Sequence, residues 1–340
     1  MSLTGAAVRI GERAPAPDLV RRLGVGLLVS SAARRLARGG PDDRDFAIAM
    51  SQRAIAEETD AANRQHYELP PAFFAETLGP RRKYSCCLFA PGDDLAAAEA
   101  RALAETCEHA GLADGHEILE LGCGWGSASL WMAAHYPRAC ITVVSNSAPQ
   151  IAYVAAEAAR CGLWNLTALK ADMNDFDPGA RFDRIVSVEM FEHLANWRAL
   201  LNRARGWLRP DGRLFMHVFA HAARAYAFDA ADEADWIARH FFAGGIMPSH
   251  GLVRAFDDLF EVEAEWRWSG EHYRRTAEAW LANFDRNRTR IDPILRAVYG
   301  AEWRLWARRW RLFFLATAGL FGADRGLAWG VSHYRLRLSP

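Results

Sequence analysis

The chain has 340 residues, 51% of them hydrophobic, with 41 basic and 41 acidic side chains and no net charge. That length supports one large domain with additions, or two domains, around a substantial core, and the balanced charge excludes the broad basic footprint of a general nucleic-acid binder. Cysteines at 86, 87, 107, 123, 140 and 161 form no C-x-x-C pair and no zinc spacing, which predicts free thiols, no metal site and a cytoplasmic enzyme.

Residues 1 to about 80 alternate apolar and charged positions at helical spacing, with breaks at Gly39-Gly40-Pro41 and Pro70-Pro71, and predict a helical N-terminal extension. Within it the apolar run Leu23 to Val29 is too short to span a membrane and is followed by Arg34, Arg35 and Arg38, with no clear cleavage site. Residues 81–340 read as one α/β domain. From Asp114 the pattern becomes EILELG, a helix over Ser127–His135, CITVVS, a helix over Pro149–Cys161, LTALKA, FDRIVSVE, a helix over Trp197–Leu208, and GRLFMHVF. Five apolar strands separated by helices predict a parallel, doubly wound sheet of Rossmann-like type. A long helical segment at about 222–257 leads to a further strand, Phe260–Trp268; more helix over about 272–325 precedes Ser332–Leu338, which would close the sheet as an edge strand. Insertions at these two places fall where a helical cap could cover the crevice beyond the carboxyl ends of the strands. The segment Glu302–Phe321 carries Trp303, Trp306, Trp310, Phe313 and Phe314 among Arg304, Arg308, Arg309 and Arg311, a stripe that fits either core packing or a basic aromatic face on a bilayer.

The chemistry begins at Glu120-Leu-Gly-Cys-Gly-Trp-Gly126, where an apolar strand runs into glycines on every second residue and then a helix. Such a turn lets the backbone approach a nucleotide-like ligand, and the alternating spacing is the form found in S-adenosylmethionine (SAM) methyltransferases. Asn146 and Gln150, after the second strand, are candidates for the ribose hydroxyls, in place of the acid many SAM enzymes put there. Asp172, after the third, is placed to accept from an adenine amino group. Val188-Glu-Met-Phe-Glu-His193 puts Glu189, Glu192 and His193 at the mouth of the crevice, a base set suited to an acceptor that must lose a proton. Tyr84-Ser85-Cys86-Cys87 could close over the methionine end of the cofactor. His217 and His221 lie four apart without a third ligand, and read as polar contacts rather than a metal site.

Together with Phe242-Ala-Gly-Gly-Ile-Met-Pro-Ser249, Trp268-Ser-Gly-Glu-His-Tyr273, Glu278-Ala-Trp-Leu281 and Ser332-His-Tyr334, these motifs resemble the cyclopropane-fatty-acyl-phospholipid synthase superfamily, most closely its coclaurine N-methyltransferase-like branch, over about residues 55–340. The resemblance implies SAM as cofactor, a class I methyltransferase sheet, contacts from Tyr84, Ser85, Gly122, Gly124, Asn146, Gln150 and Asp172, and catalytic roles for Glu189, Glu192 and His193. The amine-methylating branch has V-E-x-F-E-H, as here, where cyclopropane synthases have glycine in place of Glu189. Yet Cys86, Glu192, His217 and Tyr273 match the positions with which those synthases hold a bicarbonate ion. The extra carboxylate would repel that anion and attract an ammonium. The expectation is therefore SN2 methylation of a small aromatic or alicyclic amine, with a plausible homodimer and no nucleic-acid partner; the alternative is methylenation or C-methylation of an unsaturated acyl lipid at a membrane surface.

Overall fold

The computed structural model describes residues 12, 16–57, 69–232 and 235–340, so parts of the predicted N-terminal extension lie outside the described residues. Its helices are α1 (Asp18–Ala37), α2 (Asp43–Met50), α3 (Pro71–Thr77), α4 (Leu95–His109), α5 (Ser127–His135), α6 (Ala148–Arg160), α7 (Trp197–Trp207), α8 (Trp236–His240), α9 (Gly270–Arg286), α10 (Arg288–Tyr299) and α11 (Trp303–Phe321). Its strands are β1 (Glu117–Leu121), β2 (Cys140–Ser145), β3 (Leu166–Lys170), β4 (Phe182–Val188), β5 (Leu208–His221), β6 (Tyr226–Ala227), β7 (Ile246–Met247), β8 (Phe260–Ser269) and β9 (Trp329–Leu338).

Seven strands form one sheet in the order β3-β2-β1-β4-β5-β9-β8. The five predicted strands are parallel, while β9 runs antiparallel to both β5 and β8. Side chains of β1 alternate: Ile118 enters the core made with α4, α5 and α6, and Leu119 and Leu121 enter the core made with α7. Both faces are thus covered, as a parallel sheet requires.

Two expectations are corrected. The strand at Ser332–Leu338 is not an edge: β9 begins at Trp329 and sits between β5 and β8. Its first six residues are all buried, the pattern of a strand covered on both faces, whereas β8 alternates and carries Glu261, Glu263 and Glu265, charges that suit an exposed edge. The stretch at 222–257 is not a long helix either, but the short β6, α8 and β7 and a 3-10 turn over Leu252–Phe256. Gly244, with φ +76°, and Pro248 interrupt it.

A third core joins Phe73 and Phe74 of α3, Trp236 and Phe241, Trp280 and Phe284 of α9, Ile291 of α10, and Trp310, Phe313 and Phe314 of α11 to Phe219, Trp268 and Trp329 at the sheet. Phe219 and Trp268 lie near the carboxyl ends of β5 and β8, so this helical cap stands where α/β sheets bind ligands. The aromatic face of α11 is core, and Arg311 on its flank pairs with Asp18 at 2.6 Å and Asp285 at 2.8 Å. Helix α1 lies against the same helices: Arg22 pairs with Glu278, and a Cβ added at Gly319 would meet Val25 at 2.4 Å. Among the described residues no helix is long and apolar enough to cross a membrane.

Candidate active site

After β1 the chain turns through Gly122, Gly124 and Gly126 at φ +79°, +52° and +77°, values that favour glycine. Backbone N–H groups of Gly122 and Cys123 both donate to the Val144 carbonyl, at 3.0 and 2.9 Å, tying the turn to β2. A Cβ at Gly122 would meet Met190 at 2.5 Å and one at Gly126 would meet Val154 at 2.7 Å, but at Gly124 it would meet nothing within 4 Å. Gly124 therefore borders open space. Tyr84, Ser85, Gly122, Gly124, Asn146, Gln150 and Asp172 line a single cleft, together with Glu189 and His193.

The cleft suits SAM on its own chemistry. Gln150 is 2% exposed; its Oε1 accepts from Ser145 Oγ at 2.8 Å, and its buried Nε2 has no partner among the described residues, leaving a donor for a ligand oxygen. Asp172 accepts from the Asn174 N–H at 2.8 Å, which fixes its carboxylate at the rim. Glu120, beneath the turn, is bonded to Ser129, and burial pushes its carboxyl up to about 7.

On the far side of the cleft, β4 ends at Val188 and Glu189 adopts φ +48°. A non-glycine residue held there costs about 1 kcal/mol or more, and such strain gathers at functional positions. Glu189 Oε1 accepts from the Cys86 N–H at 2.9 Å and lies 3.1 Å from His217 Nε2, while Oε2 accepts from the Tyr273 hydroxyl at 2.7 Å. Burial raises its pKa; Lys83, the Cys86 N–H, Tyr273 and His193 work against that rise. Cys86, His217 and Tyr273, the suggested anion holders, thus converge on one point, and the Glu189 carboxylate occupies it. The Cys86 thiol, its pKa raised well above normal by burial and by Glu189, stays protonated and is no nucleophile.

His193 borders the cleft and stacks on Phe242, with ring centroids 4.8 Å apart and planes at 12°. Burial lowers its pKa to about 4, so it is a neutral imidazole at neutral pH. Glu192 is not brought to the cleft: it is fully buried behind it, accepting from the Phe219 N–H at 2.6 Å through Oε1, with Oε2 unpartnered among the described residues. Burial and the neighbouring Glu189 raise its pKa well above normal. His221 accepts from the Ala223 and Arg224 N–H groups and is a loop clasp. Among the described residues no cluster of His, Cys, Asp and Glu is placed to hold a metal ion.

Sequence reasoning missed Lys83. It is 1% exposed, lines the cleft, and donates to Ser85 Oγ and, at 2.6 Å, to the Cys86 carbonyl, holding the Tyr84–Cys87 segment beside Glu189. A signal existed, for only Lys83 and Lys170 are lysines in this arginine-rich chain.

The family model for mycolic acid cyclopropane synthetase matches residues 55–324. The (S)-coclaurine N-methyltransferase of Thalictrum flavum subsp. glaucum is 35% identical over 290 residues, covering 84% of this chain and 80% of that protein. The cyclopropane-fatty-acyl-phospholipid synthase of Escherichia coli (strain K12) is 30% identical over 273 residues, covering 79% and 66%. Among solved structures, coclaurine N-methyltransferase bound to N-methylheliamine and SAH superposes with a TM-score of 0.92 at 31% identity, covering 99% of this chain and 100% of that one. A cyclopropane synthase of Mycobacterium tuberculosis, 24% identical with a TM-score of 0.70 over 83% of this chain and 98% of that one, shares the fold.

Proposed function

Because the chain belongs to the mycolic acid cyclopropane synthetase family, we propose that it works within that family as a SAM-dependent N-methyltransferase of a small, cyclic secondary or tertiary amine. One observation carries this reading: the Cys86 N–H, His217 Nε2 and Tyr273 hydroxyl that would cradle a free anion are taken by the protein's own Glu189 carboxylate. A site with a built-in base has no need of a diffusible one, and a buried carboxylate attracts an ammonium. The relatives named for N-methylation support the same choice.

Bound in the cleft, SAM supplies an electrophilic methyl group. Gly124 gives its backbone room, and Gln150 and Asp172 offer a donor and an acceptor at the cleft wall. The acceptor arrives as an ammonium, which has no lone pair. Glu189 would take its proton, leaving the nitrogen pair free to accept the methyl group that SAM would supply, with the bonding electrons kept by its sulfur. His193, neutral and beside the same space, accepts a hydrogen bond from the ammonium and orients it. Glu192 stands behind the site, where burial disfavours a second charge next to Glu189.

The test is incubation with SAM in carbonate-free buffer, using heliamine, other cyclic amines and vesicles of unsaturated phospholipid, with SAH release and product mass as readouts. Amine methylation at full rate without carbonate is expected. Glu189→Gly should lower amine turnover by roughly ten-fold or more, and formate or bicarbonate should restore part of it by filling the emptied donor set. Cyclopropanated lipid, or strict carbonate dependence of the unmodified protein, would overturn the reading.

A further inference from the structure

Behind Glu189 a row of imidazoles runs to the surface. His217 Nδ1 lies 2.8 Å from His333 Nε2, His333 Nδ1 lies 2.8 Å from His109 Nδ1, and His109 Nε2 lies 3.7 Å from Glu105, whose side chain is 34% exposed. His217 and His333 are fully buried, and His109 is 7% exposed. The alignment is built into the sheet, since His217 of β5 and His333 of β9 are paired in register and Trp266 of β8 is the next partner. His109, at the last turn of α4, stacks on Trp266 at 3.8 Å with planes 7° apart. Trp268 closes the row from above, 4.2 Å from His333 and 5.4 Å from His217, and its Nε1 donates to Glu105 at 3.1 Å. Phe215 stands 5.2 Å from His333. Walled by aromatic rings, the imidazoles pair with one another.

A neutral imidazole donates from one nitrogen and accepts at the other. If His217 Nε2 donates to Glu189, then His217 Nδ1 must accept from His333 Nε2–H, and His333 Nδ1 must accept from His109 Nδ1–H. Fixing one ring fixes all three. The opposite polarity would leave a bare Nε2 lone pair against Glu189 and demand that Glu189 carry the proton itself. Burial keeps each ring neutral: His217 and His333 are lowered well below the ordinary histidine range, and His109 to about 4. Burial raises the Glu189 pKa, and Lys83, the Cys86 N–H, Tyr273 and His193 pull it back toward the anion, while Glu192 and Glu189 oppose each other's charge; Arg335 faces the outer ring at His109.

We propose that His333 and His109 are positioning residues for methyl transfer, fixing the tautomer of His217 so that its Nε2–H holds Glu189 as the proton-accepting carboxylate. This rests on Glu189 being the base. It predicts that the acid limb of the pH profile is set from two residues that touch neither amine nor cofactor.

The test uses the full chain. Long-range nitrogen–proton NMR of the histidine rings at neutral pH should show His217 and His333 protonated on Nε2 and His109 on Nδ1. For SAM and heliamine, His333→Phe should move the acid limb of kcat/KM upward by about one pH unit with SAM affinity unchanged. His333→Gln, whose carboxamide still donates to His217 Nδ1, should keep the limb in place. If His333→Phe does not fold, His109→Phe at the outer end should shift the limb in the same direction. Protonation of His217 on Nδ1, or a loss of rate equal at every pH in the Phe and Gln variants, would overturn the proposal. Full amine methylation by Glu189→Gln would instead strike the catalytic reading, whatever the tautomers show.

Discussion

At Gly124 the constraint is conformational and steric toward the ligand rather than toward the protein. The residue sits at φ +52° and an added Cβ would meet no protein atom. Gly124→Val should therefore fold with a modest loss of stability, from a strained left-handed conformation costing about 1–2 kcal/mol, while its methyl groups intrude where the cofactor lies. Titration calorimetry should find SAM binding abolished in a protein whose circular dichroism is unchanged; retained affinity would move the cofactor site elsewhere. Residues such as Gly124, Asp172 and Glu189 were legible in the sequence because their spacing is tied to strand ends. The roles of His109 and His333 were not, because they depend on side chains from β5, β9 and α4 meeting across more than a hundred residues of chain.

Among the elements, α9 and β9 join closely at a glycine. Gly270, the first residue of α9, leaves room for the carbonyls of Phe321 and Trp329, each of which a Cβ would approach to 2.2 Å. Those neighbours are backbone and cannot swing aside, so Gly270→Ala must part α9 from α11 and β9. A destabilisation of about 2 kcal/mol or more is expected, in the range of overpacked sites, together with weakened amine turnover, because α9 carries Tyr273. Urea denaturation and steady-state kinetics on the one variant check both; a neutral effect on stability would contradict the packing described. The strands and the helices between them could be read from hydrophobic period alone. The position of β9 could not, since strand order is decided by which buried face finds a partner, and the broken segment between β5 and β8 owes its shape to Gly244 and Pro248 acting against a helical period.

Across the whole molecule, buried titratable groups pull stability in two directions. His109 and His193 titrate at about 4 in the fold against 6.5 ordinarily, and burial lowers His217 and His333 well below the ordinary range as well. Unfolding thus takes up protons on these rings as pH falls below 6.5, and stability falls with it. Glu120, raised from 4.5 to about 7, acts the other way: the fold holds a proton the unfolded chain has lost, so stability falls as pH climbs from 4.5 through 7. Between about 4.5 and 6.5 the four rings outweigh the carboxyl, so melting temperature is expected to rise over that range and to decline above it. Scanning calorimetry across that range tests it, and Glu120→Gln should flatten the alkaline fall; a melting temperature still rising above pH 7 would contradict the assignment.

The left-handed backbone at Glu189 has a consequence for how such enzymes change over generations. That conformation is one glycine adopts without cost, so the backbone at this position accepts glycine, while Cys86, His217 and Tyr273 lose the carboxylate they hold. Glutamate and glycine codons differ by a single base at the second position. One point mutation can therefore exchange a tethered base for an emptied donor set, and the reverse mutation can return it.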